Sequence, residues 1–176
     1  MSYLKSTPQK GVHLKRPTNL ELKAYADASY GDEKARSQNG TLLLLGEQLV
    51  GWTSRRQDVV ALSITEAEYI SDCEGAKDLL WAKQFLEELG ISQLTPPILL
   101  TDSEGAAYLT KTTKFQRRSR HIEHRFHYIR QQVKKGNLRV KTIPGTENLA
   151  DPLTKLLTAR KITDWMTRWT GGPQTI

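Results

Sequence analysis

The chain has 176 residues, enough for one domain with a real core, and its 38% hydrophobic and 26% charged residues are the balance of a soluble globular protein. No apolar run approaches the roughly 18 residues that a membrane helix needs, and Met1 to Lys5 is too short in apolar residues to read as a secretory signal. The single Cys73 excludes an internal disulfide and fits a reducing compartment, while 26 Lys and Arg against 19 Asp and Glu leave a net charge of +7. Net charge alone divides evenly between plain solubility and a polyanion partner. The crowding of Lys114, Arg117, Arg118, Arg120, Arg125, Arg130, Lys134 and Lys135 into one segment favours the polyanion.

In chain order, residues 1–18 read as a leader, with a helix-like Ser2 to Ser6 and a strand-like Gly11 to Lys15 ended by Pro17. Leu20 to Ala26 alternates apolar and polar with period two, which predicts a strand running into Asp27. Gly31 to Asn39 reads as a polar turn region. Thr41 to Leu45 and Leu49 to Ser54 then predict a β-hairpin around a three-residue Gly46-Glu47-Gln48 loop. Ser63-Ile64-Thr65-Glu66 has the form of a capping box, so Ser63 is expected to cap a long helix that runs to Leu89 and stops at Gly90.

Pro96 and Pro97 introduce a short strand, Ile98 to Thr101, which delivers Asp102 at its C-terminal end, and a short helix from Ser103 to Thr110 follows. The basic stretch leads into a helix from about Ser119 to Lys135, with Ile122, Phe126, Ile129 and Val133 as its buried stripe. Gly136-Asn137 turns into the strand Leu138 to Ile143. After Pro144-Gly145, a helix from Glu147 to Leu157 is expected to carry Asp151, and an amphipathic Thr158 to Trp169 closes the pattern before Gly171-Gly172. This order predicts an α/β domain whose sheet starts antiparallel.

The acidic residues fall at privileged points. Asp27 and Asp102 end strands, Glu68 lies in the first turns of the long helix, and Asp151 lies near the start of a later one. Ligands of α/β sheets gather at the carboxyl ends of strands. Converging carboxylates repel one another unless hard cations bridge them, and Mg²⁺ favours carboxylates, waters and phosphate oxygens. Two such ions roughly 4 Å apart can activate a water and stabilise the leaving oxygen of an in-line displacement at phosphorus.

Five motifs occur in register: Tyr25-Ala26-Asp27-Ala28-Ser29; Gln57 followed by Val60-Ala61-Leu62-Ser63 and Thr65-Glu66-Ala67-Glu68-Tyr69; Thr101-Asp102-Ser103; His121-Ile122-Glu123 with Arg125, His127, Ile129 and Arg130; and Asn148 to Lys155. Together they resemble the ribonuclease H domain of copia-type LTR retrotransposon polyproteins, from about Leu20 to Leu157. The leader, through Tyr3 to Thr7, resembles the end of a reverse-transcriptase connection. The resemblance implies domain limits of 1–18, 19–157 and 158–176. It also implies a ribonuclease H-like fold: a mixed five-stranded sheet, its first three strands antiparallel, with helices on both faces.

The same resemblance implies endonucleolytic hydrolysis of the RNA strand of RNA/DNA hybrids with two Mg²⁺ ions, for which Mn²⁺ can substitute. It assigns the metal-holding, catalytic roles to Asp27, Glu68, Asp102 and Asp151. Glu66 competes with Glu68, but the capping box gives Glu66 a structural task. Substrate contacts are expected from Ser29, Arg117, Arg118, Arg120, Arg125 and Asn148. The implied partners are the hybrid and the polymerase and connection regions of the same polyprotein, with no membrane. The implied setting is intracellular, in cytoplasmic virus-like particles or the nucleus. Related domains often carry Ser-Thr-Ser-Gly-Tyr where this chain has Ser37-Gln38-Asn39-Gly40-Thr41, near the expected substrate surface. Many cellular relatives place a His in the loop before the last acid; here that loop is Pro144 to Asn148, where Glu147 and Asn148 are the stand-ins.

Each acid taken singly has a plainer reading: Asp27 as a turn residue, Asp102 as a helix cap, Asp151 as an acid favoured by a helix dipole. Four in family order outweigh those readings. His121, His124 and His127 fan around a helix without a cysteine pair, so they read as structural or phosphate-facing, not as zinc ligands. Trp52, Trp81, Trp165 and Trp169 read as packing residues, because a duplex keeps its bases stacked. The competing functions are a non-catalytic nucleic-acid-binding module of the same fold, a structural support for a polymerase, and a DNA nuclease of that fold.

Overall fold

The structure is a computed structural model that describes residues 11–12, 14–31, 36–111 and 123–170, without the side chains of Leu109, Lys111, residues 123–127 and Thr170. Its elements are β1 (Leu22–Ser29), β2 (Gln38–Leu45), β3 (Gln48–Arg56), α1 (Ile64–Glu88), β4 (Ile98–Thr101), α2 (Glu104–Lys111), α3 (Glu123–Lys134), β5 (Arg139–Thr142), 3₁₀ turns at Gly145–Glu147 and Asp151–Leu153, and α4 (Ala159–Thr170). The five strands form one sheet in the order β3-β2-β1-β4-β5. β1, β2 and β3 pair antiparallel, while β4 joins β1 and β5 joins β4 in parallel. This is the mixed sheet with an antiparallel start that the order of elements implies.

Both faces of the sheet are covered. Ala24, Ala26 and Ala28 of β1, at alternate positions, share a core with Leu99 of β4, with Tyr69, Ile70, Ala76 and Leu79 of α1 and with Ile129 of α3. The small alanines let α1 lie close on β1. Full burial of each large side chain in this layer, such as Ile70 and Leu79, stabilises by roughly 1.5–3 kcal/mol. On the other face, Leu42, Leu44 and Leu49 pack with Tyr25, Leu149, Leu153 and Trp169, so the segment after β5 and α4 close that side.

Local signals explain the ends of α1. Ser63 caps it, its side chain accepting from Glu66 N at 3.2 Å, and Glu66 Oε2 reaches back to accept from Leu62 N at 2.9 Å. At the other end, Gly90 adopts φ +79°, and Gly90 N and Ile91 N donate to Glu87 O and Leu86 O. That positive φ carries a steric cost for other residues, which is why glycine stands there.

Several expectations need correction. The described residues of 11–19 form no strand; Lys15 N donates instead to Gln48 Oε1 at 2.8 Å and Thr18 N to Glu47 Oε1 at 3.1 Å, along the β2–β3 hairpin. The hairpin loop is shorter than expected, since Leu45 pairs with Gln48, and Gly46 turns it with φ +59°. β2 begins at Gln38 inside the expected turn region, and Asp27 lies within β1 opposite Gly40. The expected helix from Glu147 to Leu157 is two 3₁₀ turns. Pro152 lacks an N–H and disfavours the α region at Asp151, so the pattern breaks there.

Trp52 and Trp81 are 64% and 66% exposed instead of packed in the core; Trp81 stacks on Phe85 with ring centroids 5.5 Å apart. Trp169 does pack, donating Nε1–H to Leu149 O at 3.0 Å. The helix-like reading of Ser2 to Ser6 and the side chains of Ile122 and Phe126 lie outside the described residues, whereas Ile129 is fully buried. No helix among the described residues is long and apolar enough to cross a membrane.

Candidate active site

β1 and β4 run in parallel and bring Asp27 and Asp102 to the same end of the sheet, and the first turns of α1 bring Glu68 beside them. One carboxylate oxygen from each of Asp27, Glu68 and Asp102 lies within 4.8 Å of the others. α1 is fastened to β1 at this point. Ala28 N donates to Glu68 Oε2 at 3.1 Å, and the Ser71 hydroxyl donates to Asp27 O at 2.6 Å. Residues three apart on a helix share a face, so Glu68 and Ser71 act on the strand end together.

The segment after β5 closes the site from the other side. Asn148 Nδ2 donates to Ala26 O at 2.9 Å and to Asp102 Oδ1 at 3.2 Å, while its Oδ1 accepts from Ala150 N at 3.1 Å. Asn148 is fully buried, and its side chain ties β1, Asp102 and the 3₁₀ segment together. Thr154 donates its hydroxyl to Asp27 Oδ2, and Lys155 pairs with Asp151 Oδ1. Gly145 passes so near Asp102 that an added Cβ would sit 3.0 Å from Oδ2.

Electrostatics mark the cluster as short of positive charge. Burial pushes the Glu68 carboxyl up to about 8, with the Asp27, Asp102 and Asp72 carboxylates adding to the effect. Burial also raises Asp27, which is only 3% exposed, although the Thr154 hydrogen bond works against the shift. Asp72, one turn beyond Glu68 on α1, is wholly buried beside Thr101 and is held well above the usual carboxylate range, first by burial. Burial and mutual repulsion of this kind disfavour the ionised forms, and a bound cation would offset both.

Of the four expected acids, the structure therefore groups three. Asp151 stands at the start of its 3₁₀ turn, within electrostatic reach of Asp27, but is engaged by Lys155. Glu66 serves the helix cap as expected. Ser29 ends β1 opposite Gln38 and is partly exposed. Arg117, Arg118 and Arg120 lie outside the described residues, as does the side chain of Arg125 in α3. The Ser37 to Thr41 segment is more interior than expected: Ser37, Asn39 and Thr41 are buried, with Thr41 donating to Asp78 Oδ2 and Asn39 Oδ1 accepting from Gln57 Nε2. Sequence reasoning missed Asp72, Thr154 and Lys155. The first was marked by its spacing of four from Glu68, and the other two lay within the last motif.

No family model matches the chain. It is 40% identical over 159 residues to the retrovirus-related Pol polyprotein from transposon RE1 of Arabidopsis thaliana, covering 89% of this chain and 11% of that protein. It is likewise 40% identical over 142 residues to the Pol polyprotein from transposon TNT 1-94 of Nicotiana tabacum, covering 80% of this chain and 11% of that protein. The chain thus spans about a tenth of the length of these relatives. Among solved structures it resembles LC11-RNase H1 in complex with an RNA/DNA hybrid, at TM-score 0.57 and 16% identity, over 76% of this chain and 93% of that one. At that identity the likeness establishes the fold.

Proposed function

We propose that this chain of ribonuclease H fold, whose homologues are Pol polyproteins of copia-type retrotransposons, hydrolyses the RNA strand of RNA/DNA hybrids with two divalent cations during reverse transcription. The observation that carries the reading is the convergence of Asp27, Glu68 and Asp102 at one sheet end. The donor set fits a hard cation: all its ligand atoms are carboxylate oxygens, and burial, with the Asp27 and Asp102 carboxylates adding to it, pushes the Glu68 carboxyl up to about 8. Mg²⁺ suits such a set, and Mn²⁺ can replace it.

In this reading Asp27 would serve both ions, Glu68 and Asp102 would hold one of them, and Asp151 would hold the other. Held there, the ions would supply the charge that activates a water and stabilises the leaving oxygen. Water adds to phosphorus, the bond to the 3′ oxygen breaks, and the products carry a 3′-hydroxyl and a 5′-phosphate. The chain's own residues position this chemistry. Asn148 orients Asp102, Thr154 orients Asp27, and Ser71 with Ala28 N sets α1 against the strand end.

The substrate assignment draws on the fold and the charge. LC11-RNase H1 was solved on an RNA/DNA hybrid with the same fold. The net charge of +7, concentrated between Lys114 and Lys135, suits a duplex backbone read through phosphates and 2′-hydroxyls. The polymerase and connection regions of the same polyprotein are the proposed protein partners.

The test is product analysis. Incubation with an end-labelled hybrid and Mg²⁺ or Mn²⁺ should give RNA fragments with 5′-phosphate ends, and a chelator or a DNA duplex should give none. Hybrid binding without cleavage under any of these ions would instead identify a non-catalytic module.

A further inference from the structure

The loop that carries a His in many cellular relatives has none here, yet a cation does stand at this side of the site. Lys155 follows Asp151 by four residues, and its ammonium pairs with Asp151 Oδ1, the two side chains being 50% and 24% exposed. It also lies within electrostatic reach of Asp27 and Asp102. The three clustered acids offer their oxygens to one another's neighbourhood without Asp151. Two observations therefore meet at one residue: Asp151 is absent from the metal-ready group, and it is engaged by a charge of the sign that a divalent ion would bring.

We propose that Lys155 is the resident counter-cation of Asp151, withholding that carboxylate from the second divalent ion in the free protein. The inference rests on the two-ion reading given above. Asp151 leads a 3₁₀ turn fixed by Pro152 and by the Thr154 backbone N–H to Asp151 O, so its backbone is set and the ion pair decides where its carboxylate turns. With its lysine half exposed the pair is weak enough to be displaced, since solvent-exposed pairs contribute only up to about 1 kcal/mol in water. Lys155 therefore tunes the second ion's affinity by roughly fivefold, the equivalent of that energy. A phosphate arriving between the acids offers the ammonium another anion and so lessens its competition for Asp151.

The experiment is Mn²⁺ binding to the free protein without nucleic acid, followed by the resonance signal of unbound Mn²⁺. The parent should show one tighter and one weaker class of site. Lys155→Met should strengthen the weaker class about fivefold, Lys155→Arg should resemble the parent, and adding Asp151→Asn to Lys155→Met should erase the gain. Two classes left unchanged by Lys155→Met would overturn this role while leaving the two-ion reading intact. A gain that survives Asp151→Asn would overturn it as well, because the lysine would then act through its general field. Fewer than two classes in every protein would overturn this inference, while the two-ion reading would stand or fall on cleavage of the hybrid.

Discussion

Thr154 donates its hydroxyl to Oδ2 of Asp27 across 127 residues of sequence, joining the last motif of the chain to the first. The approach is possible because Gly40 faces Asp27 across the β1–β2 pair. A Cβ built on Gly40 would lie 2.9 Å from Leu153 Cβ and 2.9 Å from Thr154 Cγ2. A glycine in β2 thus makes room for the residue that aims the central carboxylate.

Thr154→Val removes that hydrogen bond at nearly constant volume. A bond of this kind to a charged group contributes about 1.5–3 kcal/mol, and part of it is expected to appear in the rate. Cleavage at saturating hybrid should fall about tenfold or more, while Thr154→Ser keeps most of the activity. Single-turnover rates of the two variants check this, and equal rates for valine and parent would contradict it.

Gly40→Ala tests the close approach. The added methyl meets backbone and Cβ atoms that cannot swing aside, so overpacking should cost about 1–3 kcal/mol and lower the melting temperature. Activity should fall with it, because Thr154 is displaced from Asp27. Denaturant unfolding beside cleavage assays measures both; an alanine variant as stable and active as the parent would show that the strand yields.

The two glutamates of α1 should separate cleanly. Glu66 accepts from Leu62 N at the helix start, a task glutamine can perform, whereas Glu68 stands in the acid cluster. Glu66→Gln should cleave at close to the parental rate, and Glu68→Gln should be nearly inactive with an intact fold by circular dichroism. The reverse order of activities would move the catalytic role to Glu66.

The raised carboxyls predict a pH dependence of stability. Glu68 is pushed up from 4.5 to about 8, and Asp27 and Asp72 are also raised, in each case first by burial. The folded state then binds more protons than the unfolded state, so this contribution is fully present below about 4.5 and is lost as pH rises through about 8. In chelator the melting temperature should fall between pH 5.5 and 8.5, and Mg²⁺ should restore more stability at pH 8.5 than at 5.5. A melting temperature that rises over that window in chelator, with equal Mg²⁺ effects, would contradict the electrostatic picture.

Much of this was legible in the amino-acid order because it is written locally. The alternation through Leu22 to Ala26, the Ser63 capping box and Gly90 mark strands and helix by short-range chemistry. Asp27 and Asp102 could be placed because strand ends gather ligands. What escaped depends on contacts distant in sequence. Asn148 resembles a loop residue until its amide is seen to reach Ala26 O and Asp102. Thr154 and Lys155 look like residues of one helix, whereas Pro152 breaks that helix and sends them to different acids. The exposure of Trp52 and Trp81 was hidden too, since an aromatic on an edge strand or helix has the same local signature whether or not its face is covered.

The most direct test of the account is single-turnover cleavage of an RNA/DNA hybrid in Mg²⁺ by the parent and by Asp27→Asn. The substitution leaves shape and the Thr154 partner in place but removes the charge at the centre of the cluster. The account predicts metal-dependent cleavage by the parent, no measurable cleavage by Asp27→Asn, and parental affinity of the variant for hybrid in chelator. Near-parental cleavage by Asp27→Asn in Mg²⁺ would contradict it.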